Sequence, residues 1–537
     1  MYWNLADVFE SVADAIPDRV ALIQGERRVA WRELDDRASR LAAAFTAAGL
    51  GADSKVASYL YNCNEYNEGV FATFKLRGVP VNVNYRYLED ELVYLLDNSD
   101  AEAVLFHGAL GDHVAKVRDR APLVKLWIQV DDGSPHQEFA VRYEDAIAAN
   151  DPMPRIERSG DDLYFLYTGG TTGMPKGVMW RTGDLFGVLG EAVYPLAGVA
   201  PPSTVAGVGV IAKQVADSGV QRVHLPASPL MHGTGAFSSF QAMFLGAAVV
   251  TLVGRHFDAH ELWSTVQRER VTQMAIVGDA FGKPMVRALE QAESQGKPYD
   301  LSSLQLIISS GVMWSSEVKQ ALMERGQFVC LDSLGSSEGV GFAGSISTPG
   351  NSNQTAKFSI GPRTKVFNED GGEVVPGSGE VGRLAVGGNI PVGYYKDAPK
   401  SDATFLEIAG ARWSVPGDFA SVEADGSITL LGRGSVVINS GGEKIFPEEV
   451  EEAVKLHPAV ADCLVVGVPD DRFGEVVTAV VSLHTDMPAS PDELSAALES
   501  LARFKRPRHF VIVPDVVRGP NGKADYKWAK AQAGSEA

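Results

Sequence analysis

The chain has 537 residues, of which 45% are hydrophobic and 22% charged, and its formal net charge is −20. This length predicts roughly three or four compact units, and the acidic balance argues against a general nucleic-acid-binding protein, which needs a basic surface. The three cysteines, Cys63, Cys330 and Cys463, form no CxxC pair, so neither a zinc site nor a disulfide framework is expected. The first residues lack a basic segment, and no apolar run reaches the roughly 18 residues of a membrane span, so we expect a cytoplasmic protein.

Helical and strand patterns alternate along the chain from Leu5 to Leu331. Apolar residues at helical spacing predict a first helix over 5–16, which Pro17 ends. Such alternation is typical of parallel sheets covered by helices. The later predicted strands are 55–60, 79–83, 103–106, 163–166, 247–253, 305–309 and 328–331, and the later predicted helices are 38–48, 65–76, 89–96 and 258–268.

The pattern changes twice toward the C-terminus. From about Gly361 glycine and proline become frequent and the strands shorten, which indicates a β-rich subdomain. From about Arg433 the spacing predicts a compact α+β unit. We therefore predict an α/β protein with a large N-terminal domain of helix-covered parallel sheets plus the β-rich subdomain (1–432) and a small α+β C-terminal domain (433–537). The elements predicted for the small domain are a helix opened by Pro447, strands over 463–466, 476–483 and 509–513, and a helix over 491–502.

One loop stands out, running from Tyr167 to Val178 after a short apolar strand. It holds four glycines, three threonines and one lysine within ten residues. Glycines let backbone N–H groups approach a ligand, and a concave run of N–H groups binds anions such as a polyphosphate. A Walker A loop is excluded because Pro175 precedes the lysine and a glycine follows it. The alternative is a polar surface turn.

This loop resembles the signature phosphate loop of the adenylate-forming superfamily, which includes acyl-CoA synthetases, luciferases and peptide-synthetase adenylation domains. The resemblance extends over nearly the whole chain, with further motifs in the expected order. It implies that ATP and AMP are bound in part by residues of this loop, namely Thr168, Gly169, Gly170, Thr171, Thr172, Gly173 and Lys176.

A second motif surrounds His232, in the stretch from Pro229 to Gly235. A lone histidine is more often structural than catalytic. The match to the superfamily's second core motif instead implies that His232 lies at the substrate carboxylate site and takes part in catalysis. The small and aromatic residues after it would then line the acyl pocket, with ordinary helix packing as the alternative.

Two further segments resemble the parts of the superfamily that bind adenine and magnesium. Residues 309–314 follow a strand and precede a helix, and the carboxyl end of a parallel strand is where α/β sheets bind ligands. Between Asp332 and Glu338 a carboxylate follows two hydroxyls, which suits Mg²⁺ because it prefers oxygen ligands. The resemblance places Mg²⁺ at Glu338 with Thr168, the adenine amino group at Asp332, and other nucleotide contacts at Ser310, Gly311, Ser333 and Ser337.

Both adenine segments depart from the superfamily pattern. The usual Gly-Gly-Ala-Pro sequence is absent near Gly311, and Leu334 stands where an aromatic residue commonly stacks on adenine. Residues 339–344 also satisfy GxGxxG. No helical pattern follows them, and Pro349 with Gly350 breaks the segment, so a dinucleotide fingerprint is rejected.

The remaining motifs lie near and beyond the predicted domain boundary. The resemblance implies that Asp418 accepts hydrogen bonds from both ribose hydroxyls, which one carboxylate can do. It also implies that Arg433 contacts phosphate or ribose. Lys523 matches the last motif and is implied to be the catalytic cation of the first half-reaction. Val436 stands where a charged hinge residue is usual, so its side chain is given no hinge role. The segment implied to form the CoA tunnel contains Gly441, Gly442, Glu443 and Lys444.

The implied activity is an ATP-dependent acid:CoA ligase of the acyl-CoA synthetase class. It would form an acyl-adenylate and then a thioester, and it would use ATP, Mg²⁺ and CoA with rotation of a mobile C-terminal domain. The sequence of residues 82–87 and 167–181 resembles that of actinobacterial ligases for fatty acids and steroid side chains. We therefore expect a medium- or long-chain fatty acid or a steroid side-chain carboxylate as the substrate. The basic residues Arg503, Lys505, Arg506 and Arg508 either meet CoA phosphates or form a solvated face.

Three alternatives stay open at this point. The acceptor could be a carrier-protein thiol or oxygen, the protein could be a non-catalytic acyl-nucleotide binding protein, or the acid could be small, such as a benzoate or acetate. The small-molecule partners expected are the acid, ATP and CoA, without nucleic acid or a transmembrane segment. The sequence does not determine the oligomeric state, and a homodimer is one of the open alternatives.

Overall fold

The computed structural model describes residues 3–169, 174–219, 221–351, 355–440, 443–470, 473–498, 501–519 and 523–534. The chain divides into two compact units. The first comprises Met1–Asn353 and Val386–Ser414, and the second comprises Gln354–Ala385 and Val415–Ala537. The backbone therefore passes from one unit to the other three times.

The first unit contains alternating strands and helices, as its sequence pattern predicts. Up to Ser347 its strands are β1 (Val20–Gln24), β2 (Arg27–Ala30), β3 (Lys55–Tyr59), β4 (Val79–Asn82), β5 (Ala101–His107), β6 (Leu126–Val130), β7 (Val141–Arg142), β8 (Leu163–Thr168), β9 (Lys176–Arg181), β10 (Val223–Pro226), β11 (Ala248–Thr251), β12 (Gln273–Ile276), β13 (Leu306–Ser309), β14 (Val329–Ser336) and β15 (Gly339–Ser347). Its helices up to this point are α1 (Leu5–Ala15), α2 (Trp31–Ala47), α3 (Asn64–Lys75), α4 (Glu89–Asn98), α5 (Gly111–Val117), α6 (Tyr143–Ala148), α7 (Thr182–Leu196), α8 (Val205–Asp217), α9 (Gly233–Phe244), α10 (Ala259–Glu269), α11 (Gly278–Ser294) and α12 (Ser316–Met323).

One sheet of this unit has the strand order β9-β8-β4-β3-β5-β6-β7, and the short strand Gly393–Tyr394 pairs antiparallel with β9 as its eighth strand. Strands β8, β4, β3, β5, β6 and β7 run parallel, whereas β9 returns antiparallel to β8. All residues of β3 and β4 are buried, as expected for parallel strands covered on both faces. Helix α3 is buried along its whole length.

The other sheet of the unit has the order β2-β1-β11-β10-β12-β13-β14-β15. The inner strands β1, β11, β10, β12, β13 and β14 run parallel to one another. Strands β2 and β15 pair antiparallel with β1 and β14 at the two ends of this run. Helix α10 begins where predicted, because the Asp258 side chain accepts hydrogen bonds from the backbone N–H groups of His260 and Glu261. Trp263 and Trp314 are fully buried in the core against this sheet.

The chain after Gly350 contains the short strands of the predicted β-rich subdomain and then the strands and helices of the predicted α+β unit. Its strands are β16 (Lys357–Ile360), β17 (Thr364–Phe367), β18 (Val381–Gly387), β19 (Gly393–Tyr394), β20 (Phe405–Ile408), β21 (Ala411–Ser414), β22 (Asp418–Val422), β23 (Ile428–Arg433), β24 (Ile438–Ser440), β25 (Glu443–Ile445), β26 (Val460–Asp470), β27 (Gly474–Leu483) and β28 (His509–Val513). Its helices are α13 (Ala398–Thr404), α14 (Pro447–Lys455), α15 (Pro491–Ala496) and α16 (Tyr526–Gly534). Within the second unit, β16, β23, β22 and β18 are neighbours, and β25-β24-β27-β26 with β28 beside β27 form a separate sheet.

Two predicted elements of the second unit need correction. The helix predicted over 491–502 is α15, which begins with a Ser490–Glu493 capping box and ends at Ala496. The chain must then return to place β28 beside β27, where the Arg508 N–H donates to the Val477 carbonyl. The strand predicted over 463–466 is the longer β26, because it pairs with β27 along nearly its whole length. Among the described residues, no helix is both long and apolar enough to cross a membrane.

Candidate nucleotide and carboxylate site

The glycine- and threonine-rich loop joins the antiparallel strands β8 and β9. Thr168 and Lys176 are cross-strand partners at the base of this hairpin. The loop therefore does not lead into a helix, which separates it structurally from a Walker A loop. Of the predicted loop residues, Thr168 and Gly169 are described, and 170–173 lie outside the described residues.

Lys176 has an acidic partner. Its Nζ lies 2.5 Å from Oδ2 of Asp397, and the hydrogen bond from Lys176 lowers the pKa of Asp397 below its usual value. Asp397 is also the N-cap of α13 and accepts from the Lys400 N–H at 3.0 Å. The pair thus fixes the first residue of β9 to the start of α13.

His232 is the N-cap residue of α9. The helix can approach the preceding loop because Gly235 has no side chain: a Cβ there would lie 2.4 Å from the Pro229 carbonyl oxygen. The aromatic residues predicted to line an acyl pocket make ordinary packing contacts, since Phe237 and Phe240 are buried with ring centroids 6.2 and 6.0 Å from that of Tyr164.

The predicted adenine segment follows β13 and lies close to α9. Gly311 has φ = +95°, and a Cβ there would lie 3.9 Å from Oγ1 of Thr234. The end of the segment is fixed by Asp279, which accepts from the Ser315 N–H at 2.9 Å. Ser310 and Gly311 therefore lie beside the start of the helix that carries His232 at its N-cap.

Asp332 and Ser333 lie in β14, which continues beyond the predicted strand 328–331. Burial raises the pKa of Asp332 to about 7, although Lys319 opposes the shift. The Lys319 Nζ is 3.9 Å from Oδ2 of Asp332, and both side chains are buried. This carboxyl group is therefore partly protonated near neutral pH.

Ser337 and Glu338 form the two-residue turn between β14 and β15, since Ser336 pairs with Gly339. The Trp180 Nε1 of β9 donates to the Ser337 carbonyl at 3.0 Å and so joins this turn to the glycine-rich hairpin. Strand β15 occupies the GxGxxG stretch, where a dinucleotide fingerprint requires a helix.

Glu338 is held from two sides by residues that the sequence does not single out. The Tyr394 hydroxyl donates to Oε1 at 2.7 Å, and the Ser414 hydroxyl donates to the Glu338 carbonyl at 2.6 Å. Among the described residues, Oε2 of Glu338 has no hydrogen-bond partner. A carboxylate oxygen is chemically suited to Mg²⁺, which prefers oxygen ligands.

Asp418 and Arg433, the predicted ribose and phosphate contacts, belong to the second unit. They are cross-strand partners at one end of the β22–β23 pair. Gly432 next to Arg433 has φ = +116° and is approached closely by the Glu448 carboxylate. The two predicted nucleotide residues therefore share one end of one hairpin.

Lys523 is exposed and lies in a loop whose base is closed by backbone contacts. The Gly519 N–H donates to the Lys523 carbonyl at 2.7 Å, and Arg518 pairs with Ala524 in an isolated bridge. Arg518 also donates twice to the Asp462 carboxylate, at 2.6 and 2.7 Å. This ion pair ties the Lys523 loop to β26.

The predicted CoA segment is described in part. Glu443 and Lys444 lie in β25, which pairs with β24, and Gly441 and Gly442 lie outside the described residues. Val436 ends a 3₁₀ turn over Gly434–Val436. In the basic stretch, Lys505 pairs with Glu449 at 2.6 Å, and the Arg508 guanidinium lies 3.9 Å from the Phe473 ring centroid.

Two solved CoA ligases share this fold. The anthranilate CoA ligase AuaEII in complex with anthranoyl-AMP has a TM-score of 0.84 at 22% identity, covering 100% of this chain and 98% of that chain. A benzoate CoA ligase from Burkholderia xenovorans LB400 has a TM-score of 0.80 at 22% identity, covering 98% of both chains. The fold is that of the adenylate-forming enzymes, with the predicted large N-terminal and small C-terminal parts.

Sequence relatives cover nearly the full length. A 3-oxocholest-4-en-26-oate–CoA ligase of Rhodococcus rhodochrous is 44% identical over 99% of this chain and 96% of its own length. A medium/long-chain-fatty-acid–CoA/3-oxocholest-4-en-26-oate–CoA ligase of Mycobacterium tuberculosis is 43% identical over 98% and 96%, and the medium-chain acyl-CoA ligase Mig of Mycobacterium avium is 41% identical over 98% and 97%.

The chain belongs to the AMP-binding enzyme family. The model of that family matches residues 9–395, and the model of the AMP-binding enzyme C-terminal domain matches residues 449–523. The predicted membership of the adenylate-forming superfamily is confirmed.

Proposed function

We propose that the protein is an ATP-dependent acyl-CoA synthetase that forms an acyl-adenylate and then an acyl-CoA thioester, releasing pyrophosphate and AMP. The observation that carries this proposal is identity of 41–44% with named CoA ligases over nearly all of each chain. The substrate class that this supports is a medium- or long-chain fatty acid or a steroid side-chain carboxylate.

In the first half-reaction the acid carboxylate attacks the α-phosphorus of ATP, and the bond to the β-phosphate oxygen breaks. Such a displacement depends mainly on positioning and charge stabilisation. The 168–176 hairpin loop would hold the leaving pyrophosphate, His232 would contact the carboxylate, and Ser310, Gly311, Asp332, Ser333 and Ser337 would hold the nucleotide.

Mg²⁺ would be held by Glu338 with Thr168, which offer a carboxylate and a hydroxyl oxygen. When bound, the ion would neutralise negative charge on the phosphates. The protein's own contribution is to orient the Glu338 carboxylate through Tyr394 and the Glu338 backbone through Ser414.

In the second unit, Asp418 and Arg433 would bind ribose and phosphate, and Lys523 would supply positive charge in adenylation. In the second half-reaction the CoA thiolate attacks the acyl carbonyl and AMP leaves. The segment from Gly441 to Lys444 would contact pantetheine. We also propose a functional boundary near residue 433, between a 1–432 adenylation domain and a mobile 433–537 domain, and a cytoplasmic location.

The test is pyrophosphate release from ATP across a panel of acids, with and without CoA. We expect release with medium-chain, long-chain or steroid side-chain acids, and a CoA thioester only when CoA is present. Release without CoA consumption would indicate another acceptor, such as a carrier-protein thiol or oxygen, and a preference for benzoate or acetate would indicate a small-acid ligase. Nucleotide binding without pyrophosphate from any acid would contradict the ligase proposal and favour a non-catalytic binding protein.

A further inference from the structure

Asn82, the last residue of β4, has a buried side chain that makes three short hydrogen bonds to backbone groups. Its Oδ1 accepts from the Tyr167 N–H at 2.6 Å. Its Nδ2 donates to the Tyr167 carbonyl at 2.8 Å and to the Met231 carbonyl at 2.6 Å. Tyr167 directly precedes Thr168 of the phosphate loop, and Met231 directly precedes His232.

The backbone does not provide this connection by itself. Strands β4 and β8 pair through their backbones at one position, Val81 with Phe165. The N–H and carbonyl of Tyr167 are bonded instead by the side-chain amide of Asn82. Met231 belongs to the segment between β10 and α9, which follows a strand of the other sheet. One amide therefore joins two sheets at the two loops assigned to pyrophosphate and to the carboxylate.

We propose that Asn82 is a positioning residue that sets the spacing between the phosphate loop and His232. This inference rests on the proposed function. In an in-line displacement the carboxylate oxygen and the α-phosphorus must be aligned, and a misplacement of about 1 Å can cost about 100-fold in rate. Removal of the amide would leave three backbone groups without their partner and would free the two loops to move separately.

Asn62 provides a matched comparison, because its side-chain amide also bonds the backbone that leads to His232. Its Nδ2 donates to the carbonyls of Pro226 and Ser228 at 3.3 and 3.2 Å, and its Oδ1 accepts from the Leu230 N–H at 2.7 Å. It therefore holds the chain that leads to His232 and makes no hydrogen bond to Tyr167. Asn62→Ala removes one anchor of the carboxylate side and leaves the phosphate side in place.

The experiment measures both half-reactions for the wild type, Asn82→Ala and Asn62→Ala. ATP–pyrophosphate exchange reports adenylation, and thioester formation from supplied acyl-adenylate reports the second step. We expect Asn82→Ala to lower kcat/KM of exchange at least about tenfold with a raised KM for ATP, and to keep the second step within about threefold of wild type. We expect Asn62→Ala to raise the KM for the acid and leave the KM for ATP unchanged.

A residue that only stabilised the fold would reduce both half-reactions by the same factor, so equal losses in Asn82→Ala would overturn the inference. Unchanged exchange kinetics in the folded variant would overturn it as well. If Asn82→Ala does not fold, as judged by its melting transition, Asn82→Ser is measured instead, since its hydroxyl keeps one hydrogen bond, and the same split between steps is required. A wild-type protein without exchange for any acid would contradict the proposed function, whereas wild-type exchange without the split contradicts the role of Asn82 alone.

Discussion

Tyr394 donates a hydrogen bond from its hydroxyl to Oε1 of Glu338 at 2.7 Å, although the two residues are 56 positions apart in the sequence. A hydrogen bond to a charged group contributes about 1.5–3 kcal/mol. The Tyr394 ring is packed 5.9 Å from that of Phe405, a contact that phenylalanine would keep. The hydroxyl can therefore be removed without removing the packing.

We expect Tyr394→Phe to weaken the use of Mg²⁺, because the Glu338 carboxylate loses the donor that orients it. The concentration of Mg²⁺ needed for half-maximal adenylation should rise roughly tenfold, in line with a hydrogen bond of this strength. The measurement is pyrophosphate release against Mg²⁺ concentration. Tyr395→Phe is the control, since the Tyr395 hydroxyl bonds Asp100 instead, and an equal rise in that variant would contradict the assignment.

Lys523→Ala should separate the two half-reactions. Because Lys523 is proposed to offset charge that develops during adenylation, its removal should lower ATP–pyrophosphate exchange by about 100-fold or more and largely spare thioester formation from supplied acyl-adenylate. Lys527→Ala removes another exposed lysine nearby and should leave both steps unchanged. Equal losses in both steps for Lys523→Ala would argue against the role.

Asp332 should make ATP binding depend on pH. Burial raises the pKa of this carboxyl to about 7, so its ionised fraction grows between about pH 6 and pH 8. If Asp332 accepts a hydrogen bond from the adenine amino group, the KM for ATP should fall over that interval. Asp332→Asn keeps an acceptor without titrating, so its KM for ATP should vary less. A wild-type KM that stays constant would rule out this contact.

The same pKa predicts an effect on stability. A carboxyl whose pKa is raised in the folded state binds its proton more tightly there than in the unfolded chain. Asp332 therefore lowers the free energy of unfolding as the pH rises from about 4 to about 7. Urea unfolding of the wild type and Asp332→Asn should diverge in that direction, and the variant should gain relative stability at the higher pH. Lys319 and Asp279, which also act on this carboxyl, remain the same in both proteins.

The Arg518–Asp462 pair should support the Lys523 loop. Burial alone would raise the pKa of Asp462, but the hydrogen bonds and charge of Arg518 lower it below the usual value. The stabilisation is thus present above about pH 4 and is lost as the pH falls through the folded-state pKa. Asp462→Asn should cost about 1–3 kcal/mol at neutral pH in urea unfolding, and this cost should shrink in acid. Asp486→Asn, at an exposed site, should show no such cost at either pH.

The sequence identifies candidate site residues better than it identifies the residues that hold them in place. Glu338, Asp418 and Lys523 stand in local motifs that single them out, and the structure places them in a hairpin turn, at a strand end and in a loop, while their roles stay predictions. Tyr394 gives no such signal, because its partner is brought near only when β19 pairs with β9. Asn82 lies in a stretch that resembles a substrate class of ligases, yet its bonds join the neighbouring strand, at Tyr167, to Met231, which follows a strand of the other sheet. Lys176 belongs to the phosphate motif, and its pairing with Asp397 likewise follows from tertiary structure.

The three passages of the backbone between the two compact units limit how any large motion can occur. A rotation of the entire second unit as one rigid body would have to change backbone torsion angles at three separate connections together. A rotation that begins after Arg433 needs torsional change at one connection, the 3₁₀ turn of Gly434–Val436. Such a pivot requires freedom of the main chain and no particular side chain, which is compatible with a valine at position 436.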